Sequence, residues 1–487
     1  MKGLWGLLYL GGACSLAGLL VGGCGGDSGS EPAPQATKLV FLNQPGTVEG
    51  QVAWDPPIRV ALQTTTGTTV TGASADVTLS LATNPAGAAL SGTTTVRAVN
   101  GIATFSDLAL ALPGDGFVLK AESAGLTSAL GAAFSVRITF AHVSVGNFHS
   151  CGVTTTGFAY CWGQNAGGQL GTGTLTAEQR PSPVSGGLHF AEVSAGDVHT
   201  CGVTTTNVAY CWGVNDYGRL GDGTTTQHGV PTLVAGGLLF SHLSAGETDT
   251  CGVTMGGDAY CWGLNDAGQL GDAVIGQHPV PGRVMGGLHF SAVSAGGMHS
   301  CGITSDDIGY CWGDNGVGQL GDGTTTSRAD PEPVAGGLRW RQLSAGGIHS
   351  CGVTTGNTVL CWGFNNHGQL GDGTMTEQHA PISIMTGQQI ASVTTGRVNS
   401  CAITATGAAS CWGINFSGQL GDGTIISPRP MPTLVQGGLG FAQLSARGEH
   451  TCGVTIDHVA YCWGFNAEGE LGNGTDQSSL TPARIAQ

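Results

Sequence analysis

The stretch HSCGVTTTGFAYCWGQNAGGQLGTGT occupies residues 149–174, and variants of it return six more times along the chain. From residue 199 it reads HTCGVTTTNVAYCWGVNDYGRLGDGT, and from residue 299 HSCGITSDDIGYCWGDNGVGQLGDGT. Each copy carries two cysteines ten positions apart: Cys151 and Cys161, Cys201 and Cys211, Cys251 and Cys261, Cys301 and Cys311, Cys351 and Cys361, Cys401 and Cys411, Cys452 and Cys462. Each pair brackets two short runs, such as CGVT and AYCW, around a turn rich in Thr, Gly and Asn. That is the pattern of a β-hairpin. Cysteines facing each other across it can meet the Cβ separation of a disulfide. Free or metal-bound thiols are the competing reading, although zinc knuckles bring their cysteine pairs much closer in sequence.

The period is fifty residues throughout, apart from one extra residue between Thr424 and Gly437. With several short strand signals per unit and no helical periodicity, this period predicts a propeller blade rather than a helical solenoid. In the second copy the expected elements are a first strand over 191–195, a hairpin over 200–204 and 209–213, a glycine-rich loop over 215–224 and an outer edge segment over 230–234. A proline recurs in that last segment (Pro183, Pro231, Pro281, Pro333, Pro381, Pro432, Pro482), where an edge strand tolerates a missing N–H. Seven such sheets around an axis would close a ring with only short edges. Every hairpin is followed by its own edge segment, including 481–485 after the last, so closure needs no strand borrowed from the N-terminus.

The phrases SAGDVHTCGV (194–203) and AYCWGVNDYGRLGDGT (209–224) resemble the RCC1 repeat family, whose members form seven-bladed β-propellers. The resemblance spans residues 138–487. Asp249 and Asn399 depart from it by replacing the usual His, Thr172 and Asn473 by replacing the Asp of LGDG, and the third copy by reading GDAVIG. Residues 38–136 contain no cysteine and show short alternating runs such as DVTLSLAT, GIATFSDLAL and FVLKAES. They resemble a bacterial Ig-like sandwich, which would serve as a spacer. The expected fold is therefore all-β: an RCC1-like seven-bladed propeller preceded by an Ig-like β-sandwich.

The N-terminus reads as an export signal, with Lys2 followed by an apolar run over 4–21. Leu20-Val21-Gly22-Gly23-Cys24 resembles the lipobox of bacterial lipoproteins, which implies a signal peptide over 1–23 and a lipid on Cys24. Each buried acyl methylene contributes roughly 0.8 kcal/mol, so several chains hold a protein at a membrane without a spanning helix. An ordinary cleaved signal, or a spanning helix interrupted by glycine, is the alternative. Residues 24–37 read as a flexible tether of Gly, Ser, Pro and acidic residues. Fourteen repeat cysteines behind an export signal fit an oxidising compartment. The expected location is the cell envelope, lipid-anchored and outside the cytoplasm, at the outer membrane or cell surface.

Net charge is −16, charged residues make up only 10%, and all three lysines precede the repeats. That balance excludes nucleic acid, which needs clustered cations to displace phosphate counterions. The histidines at 149, 199, 299, 349 and 450 share one repeat position with Asp249 and Asn399. All three residue types can bond a neighbouring backbone group, so a structural role outweighs a metal or catalytic one. The tryptophans after each second cysteine suit burial between blades, and Asn165 and its equivalents suit turn-fixing bonds. Asp222, Asp272, Asp322, Asp372 and Asp422 suit acceptance of loop N–H bonds, calcium being the alternative. No hydrolase, phosphate-loop or dinucleotide motif stands out, so neither an enzyme nor a cofactor is expected.

Function then falls to the positions where the copies differ. These include Tyr217, Val317, His367 and Phe416 in the glycine-rich loops, and Arg180, His228, Arg328, Gln378 and Arg429 before the edge segments. Tyr217, Arg328, His367 and Phe416 are the candidate partner-binding residues. The expected function is that of a monomeric envelope protein binding a protein or glycan at the cell surface. The family resemblance implies two alternatives: nucleotide exchange on a small GTPase, or inhibition of an extracellular enzyme. Export and an acidic balance weigh against exchange.

Overall fold

The computed structural model describes residues 33–486, which build two all-β units. The signal peptide, Cys24 and most of the tether lie outside the described residues. Among these the one helical element is a three-residue 3-10 turn, Asp216–Gly218, and no helix is long and apolar enough to cross a membrane.

The first unit pairs a three-stranded sheet (Lys38–Phe41, Ile58–Gln63, Ile102–Phe105) with a five-stranded one that includes Asp76–Thr83, Gly114–Glu122 and Ala129–Arg137. Alternating apolar residues send Val60, Leu79, Phe105, Phe117, Phe134 and Trp54 into one shared core. The unit is seated on the repeats by two contacts. The Tyr160 hydroxyl donates to Ala111 O at 2.7 Å, and the Thr139 N–H donates to Glu49 Oε1 at 2.9 Å.

From Phe140 onward the chain folds into seven four-stranded sheets, each made of four consecutive strands. In the second, these are Phe190–Ala195, His199–Thr204, Ala209–Gly213 and His228–Leu233. The outer strand starts two residues before the expected 230 because His228 pairs with Gly213 across a bulge. Phe190, Val193 and Ala195 are buried while Ala191 is exposed, so the innermost strand has one face in the sheet core. The cysteines pair in register, Cys201 opposite Cys211, and all seven are joined as disulfides with Cα atoms 4.0–4.1 Å apart.

Neighbouring sheets are cemented by the tryptophans. Trp212 is fully buried and packs with Leu170, Phe190 and the Cys151–Cys161 pair, so the core of the first sheet is completed by the second. Gly171 lies against its indole: with φ at +68° and a virtual Cβ 2.7 Å from Trp212 Nε1, this position admits glycine on both backbone and steric grounds. Removing one such indole would cost about 3–5 kcal/mol.

The last sheet meets the first directly. Trp162 Nε1 donates to Glu470 O at 2.8 Å, Gln443 exchanges two hydrogen bonds with Val143, and Gly474 N donates to Gln179 O. Both flanking sheets already own four strands, so side chains and loops close the ring without strand exchange.

Candidate functional site

Strand direction defines two faces. Inner and third strands end on one face, where the turns 146–148 and the loops 164–177 cluster; the hairpin turns near 155–157 emerge on the other. We call these the loop face and the turn face.

Around the axis, two rings of polar side chains join sheet to sheet. In the first, Ser144, Ser194, Ser244, Ser294, Ser344, Thr394 and Ser445 each accept an N–H from the inner strand of the next sheet, at 2.9–3.4 Å. The second is the ring of buried histidines. Nε2 of His149, His199, His299, His349 and His450 lies 2.8–2.9 Å from Thr200, Thr250, Ser350, Ser400 and Ser150 respectively. The partner is a hydroxyl on the adjacent sheet rather than the backbone group expected from sequence. Because Thr200 Oγ1 itself donates to Gln169 O, the imidazole must donate to the hydroxyl, which fixes the Nε2–H tautomer. Burial lowers His149, His349 and His450 to about 3, His299 to about 4, and His199 well below the usual range, so all five are neutral.

Asp249 and Asn399 interrupt this ring. Their side chains are shorter than an imidazole, and Ser300 and Thr451 meet no ring nitrogen: both donate to the preceding loop carbonyls, Gln269 O and Gln419 O, and Ser300 also lies 3.6 Å from Cys251 Sγ. Burial pushes Asp249 up to about 8, against the opposing pull of Arg447 and Arg219. Arg447 stands where six sheets carry glycine, and its Nη1 donates across the axis to Ala245 O at 2.8 Å. On the loop-face side of it, Arg397 Nε approaches Glu247 Oε1 at 3.8 Å, again from opposite parts of the ring.

Toward the turn face the axis widens into a funnel of about 570 Å³ lined by the inner strands of all seven sheets. Glu192 and His242 pair on its wall at 3.1 Å. Burial opposes both charges, but their mutual attraction wins, holding Glu192 below and His242 above their ordinary values. Burial lowers His142. Arg341 is exposed at the rim and donates to Ile390 O and Ala391 O.

On the loop face each glycine-rich loop is pinned from within. Asn215 Oδ1 accepts Leu220 N at 2.9 Å, and its Nδ2 donates to Asp222 Oδ1 and Thr224 O at 3.1 Å. Asp222 accepts the Thr224 N–H and hydroxyl and meets His228 Nε2 at 2.9 Å. Burial alone would raise its pKa; these bonds outweigh it and hold the carboxyl below its usual value. The same closure recurs as His278–Asp272, Arg328–Asp322 and Arg429–Asp422. Among the described residues no group of three or more His, Cys, Asp or Glu is placed to hold a metal ion.

The four candidate binding residues are not brought together. Arg328 is tied to its own loop, 3.5 Å from Asp322. His367 is half-buried against Phe364, with ring centres 5.9 Å apart. Tyr217 is 39% exposed at φ 65°, with the Arg219 guanidinium 5.6 Å from its ring centre. Phe416, on the sixth sheet while Tyr217 is on the second, is 69% exposed. Leu175, Ile275, Met375 and Ile425, all exposed, went unnoticed in the sequence. They share one register position, directly after the glycine-rich loop, where the remaining copies have Thr225, Thr325 and Asp476. Aligning the copies column by column would have exposed that apolar column.

Comparison with known proteins agrees with this architecture. Residues 111–443 match the RCC1-like domain model, and residues 457–487 match the regulator of chromosome condensation (RCC1) repeat. The E3 ubiquitin-protein ligase HERC2 of Homo sapiens is 47% identical over 45 residues, which is 9% of this chain and 1% of that ligase. Human WBSCR16 superposes with a TM-score of 0.59 at 21% identity, covering 66% of this chain and 87% of that one. Yeast RCC1 (Prp20), solved bound to Kap60, gives 0.61 at 19% identity over 72% of this chain and 85% of its own. Prp20p of Saccharomyces cerevisiae, described together with its binding to Gsp1p and histones, gives 0.60 at 21% over 72% and 88%. At these identities the structures speak to fold alone, while the domain model covers more than half of the sequence: the chain belongs to the RCC1-like domain family.

Proposed function

We propose that this chain is a lipid-anchored envelope protein whose seven-bladed propeller, held off the membrane by an Ig-like spacer, binds a protein partner through its loop face. One observation carries the reading: exposed apolar side chains recur at one register of that face, on loops pinned by their asparagines, with the full Asn–Asp–Thr set beneath Met375 and Ile425. Rigid apolar anchors set among polar loops bind at low entropic cost. Seven disulfides support an oxidising compartment, and the lipobox-like Cys24 supports the anchor. The protein acts as a monomeric binder without chemistry of its own.

The test is crosslinking on intact cells, followed by capture of the partner with purified protein. Combined Phe416→Ser, Ile425→Ser and Met375→Ser changes should abolish capture while all seven disulfides remain mapped. Capture that survives these changes refutes the loop-face assignment, and capture only of a protein-free glycan reassigns the partner. Peptide mass mapping of the membrane fraction checks the anchor: an unmodified Cys24 refutes it.

A further inference from the structure

The axial funnel has features that the loop face lacks. Each hydroxyl of the first polar ring spends an oxygen lone pair on the N–H of the next sheet. Its own hydrogen stays available, since Ser144, Ser194, Ser244, Ser294 and Ser445 are half-buried, line the cavity and donate to no acceptor among the described residues. The ring therefore presents five hydroxyl donors to one open funnel. Below it, Ala245 follows Ser244 by one residue, and its carbonyl holds the Arg447 guanidinium on the axis. No carboxylate forms an ion pair with Arg447 among the described residues. The cation thus crosses the axis one residue beyond the hydroxyl ring, in place of the glycine of the other six sheets, and on its loop-face side it borders a smaller pocket with Glu247 and Arg397. Arg341 adds a second cation at the rim, without an acidic partner among the described residues. The one carboxylate on the wall, Glu192, is consumed by His242 and by the Leu243 N–H.

The geometry points to a binding site for a small oxyanion, a carboxylate, sulfate or phosphate group carried on a compact molecule, entering from the turn face with its charge toward Arg447. Converging hydroxyl donors with a guanidinium beyond them match anion lone pairs. At about 570 Å³ the funnel is of small-ligand size. The site is independent of the loop-face reading, because it opens on the opposite face.

Isothermal titration calorimetry of the full lipid-anchored chain in detergent, at low ionic strength, tests it with inorganic phosphate, sodium sulfate and citrate in separate titrations. Saturable binding of one anion per chain is expected, and the tightest of the three identifies the group. Arg447→Gln should weaken it at least tenfold and Arg341→Gln severalfold, while Ile425→Ser on the loop face leaves it unchanged. Absence of saturable binding at millimolar concentration, or equal affinity in Arg447→Gln, overturns the proposal. If Arg447→Gln does not fold, unchanged affinity in Arg341→Gln overturns it instead.

Discussion

Arg447 Nη1 in the seventh sheet and the carbonyl oxygen of Ala245 in the third are hydrogen-bonded at 2.8 Å across the centre of the ring. The bond joins sheets with no shared seam, so it braces the ring against ovalisation. A hydrogen bond involving a charged donor contributes roughly 1.5–3 kcal/mol. Arg447→Gly installs the residue found in six other sheets, so the turn itself should accept it. Denaturant unfolding should nevertheless show a loss of about 1–3 kcal/mol, most of it in the unfolding rate if the brace forms late in folding. An unchanged midpoint would mean that the seams alone hold the ring.

Asp249→His repairs an interrupted ring. The imidazole would reach Ser300 as His199 reaches Thr250, and an unpaired buried carboxyl would disappear. The pH dependence gives the sign. Asp249 has a pKa near 3.8 when exposed and about 8 in the folded chain, so the folded state holds its proton more tightly. Its contribution to stability is complete below pH 3.8 and is lost as pH rises toward 8. The gain in Tm from Asp249→His should therefore be small at pH 5 and larger at pH 8, which differential scanning calorimetry can read directly. A gain independent of pH would place the benefit in packing instead.

Much of this architecture is legible one repeat at a time. Cys201 and Cys211 face each other across one short hairpin, and Asn215 fixes its loop through bonds that reach no further than Thr226, eleven residues on. What escapes such reading depends on the closed ring. Arg447 looks like one more glycine replaced, and only closure shows that its side chain meets Ala245 two hundred positions away. Arg328 reads as a free loop cation until the outer strand, starting two residues early, swings it onto Asp322. The third copy escapes for a different reason. Its GDAVIG lets the strands run on, Ala259–Asn265 pairing with Gly276–Arg283, so its loop is partly sheet.

The histidine ring predicts acid sensitivity. Five imidazoles are held neutral by burial, four with folded values near 3 to 4 and His199 well below the ordinary value of 6.5. A depressed histidine contributes stability that is present above pH 6.5 and lost as pH falls through the folded pKa. Tm should fall steadily from pH 6.5 to pH 4, and His349→Asn should flatten that slope while lowering Tm at neutral pH. A Tm that is level down to pH 4 would show that protons do not compete for these bonds.

The seams are not equally bonded around the axis, and the fewest axial bonds join the sixth sheet to the seventh, although Ser417 Oγ still donates to Glu449 Oε2 at 2.7 Å toward the loop face. There Asn399 leaves Thr451 without the histidine bond, and Ser392 is too short to bridge as Gln342 and Gln443 do at other seams. The hydroxyl-ring bond is also the longest, 3.4 Å from Ala446 N to Thr394 Oγ1. By contrast, the seam joining the seventh sheet to the first keeps His450 to Ser150, both Gln443 bonds and Trp162 to Glu470 O. Opening should therefore begin away from that seam, against the intuition that a ring parts where its first and last sheets meet. Native-state hydrogen exchange should find the lowest protection in the inner strands Ile390–Thr395 and Phe441–Arg447. Asn399→His, by restoring a bond to Thr451, should raise protection there by roughly tenfold, equivalent to about 1.4 kcal/mol, without changing exchange at Phe140–Val145. If Phe140–Val145 exchanges first in both proteins, the ring opens at its closure and the count of seam bonds does not govern its stability.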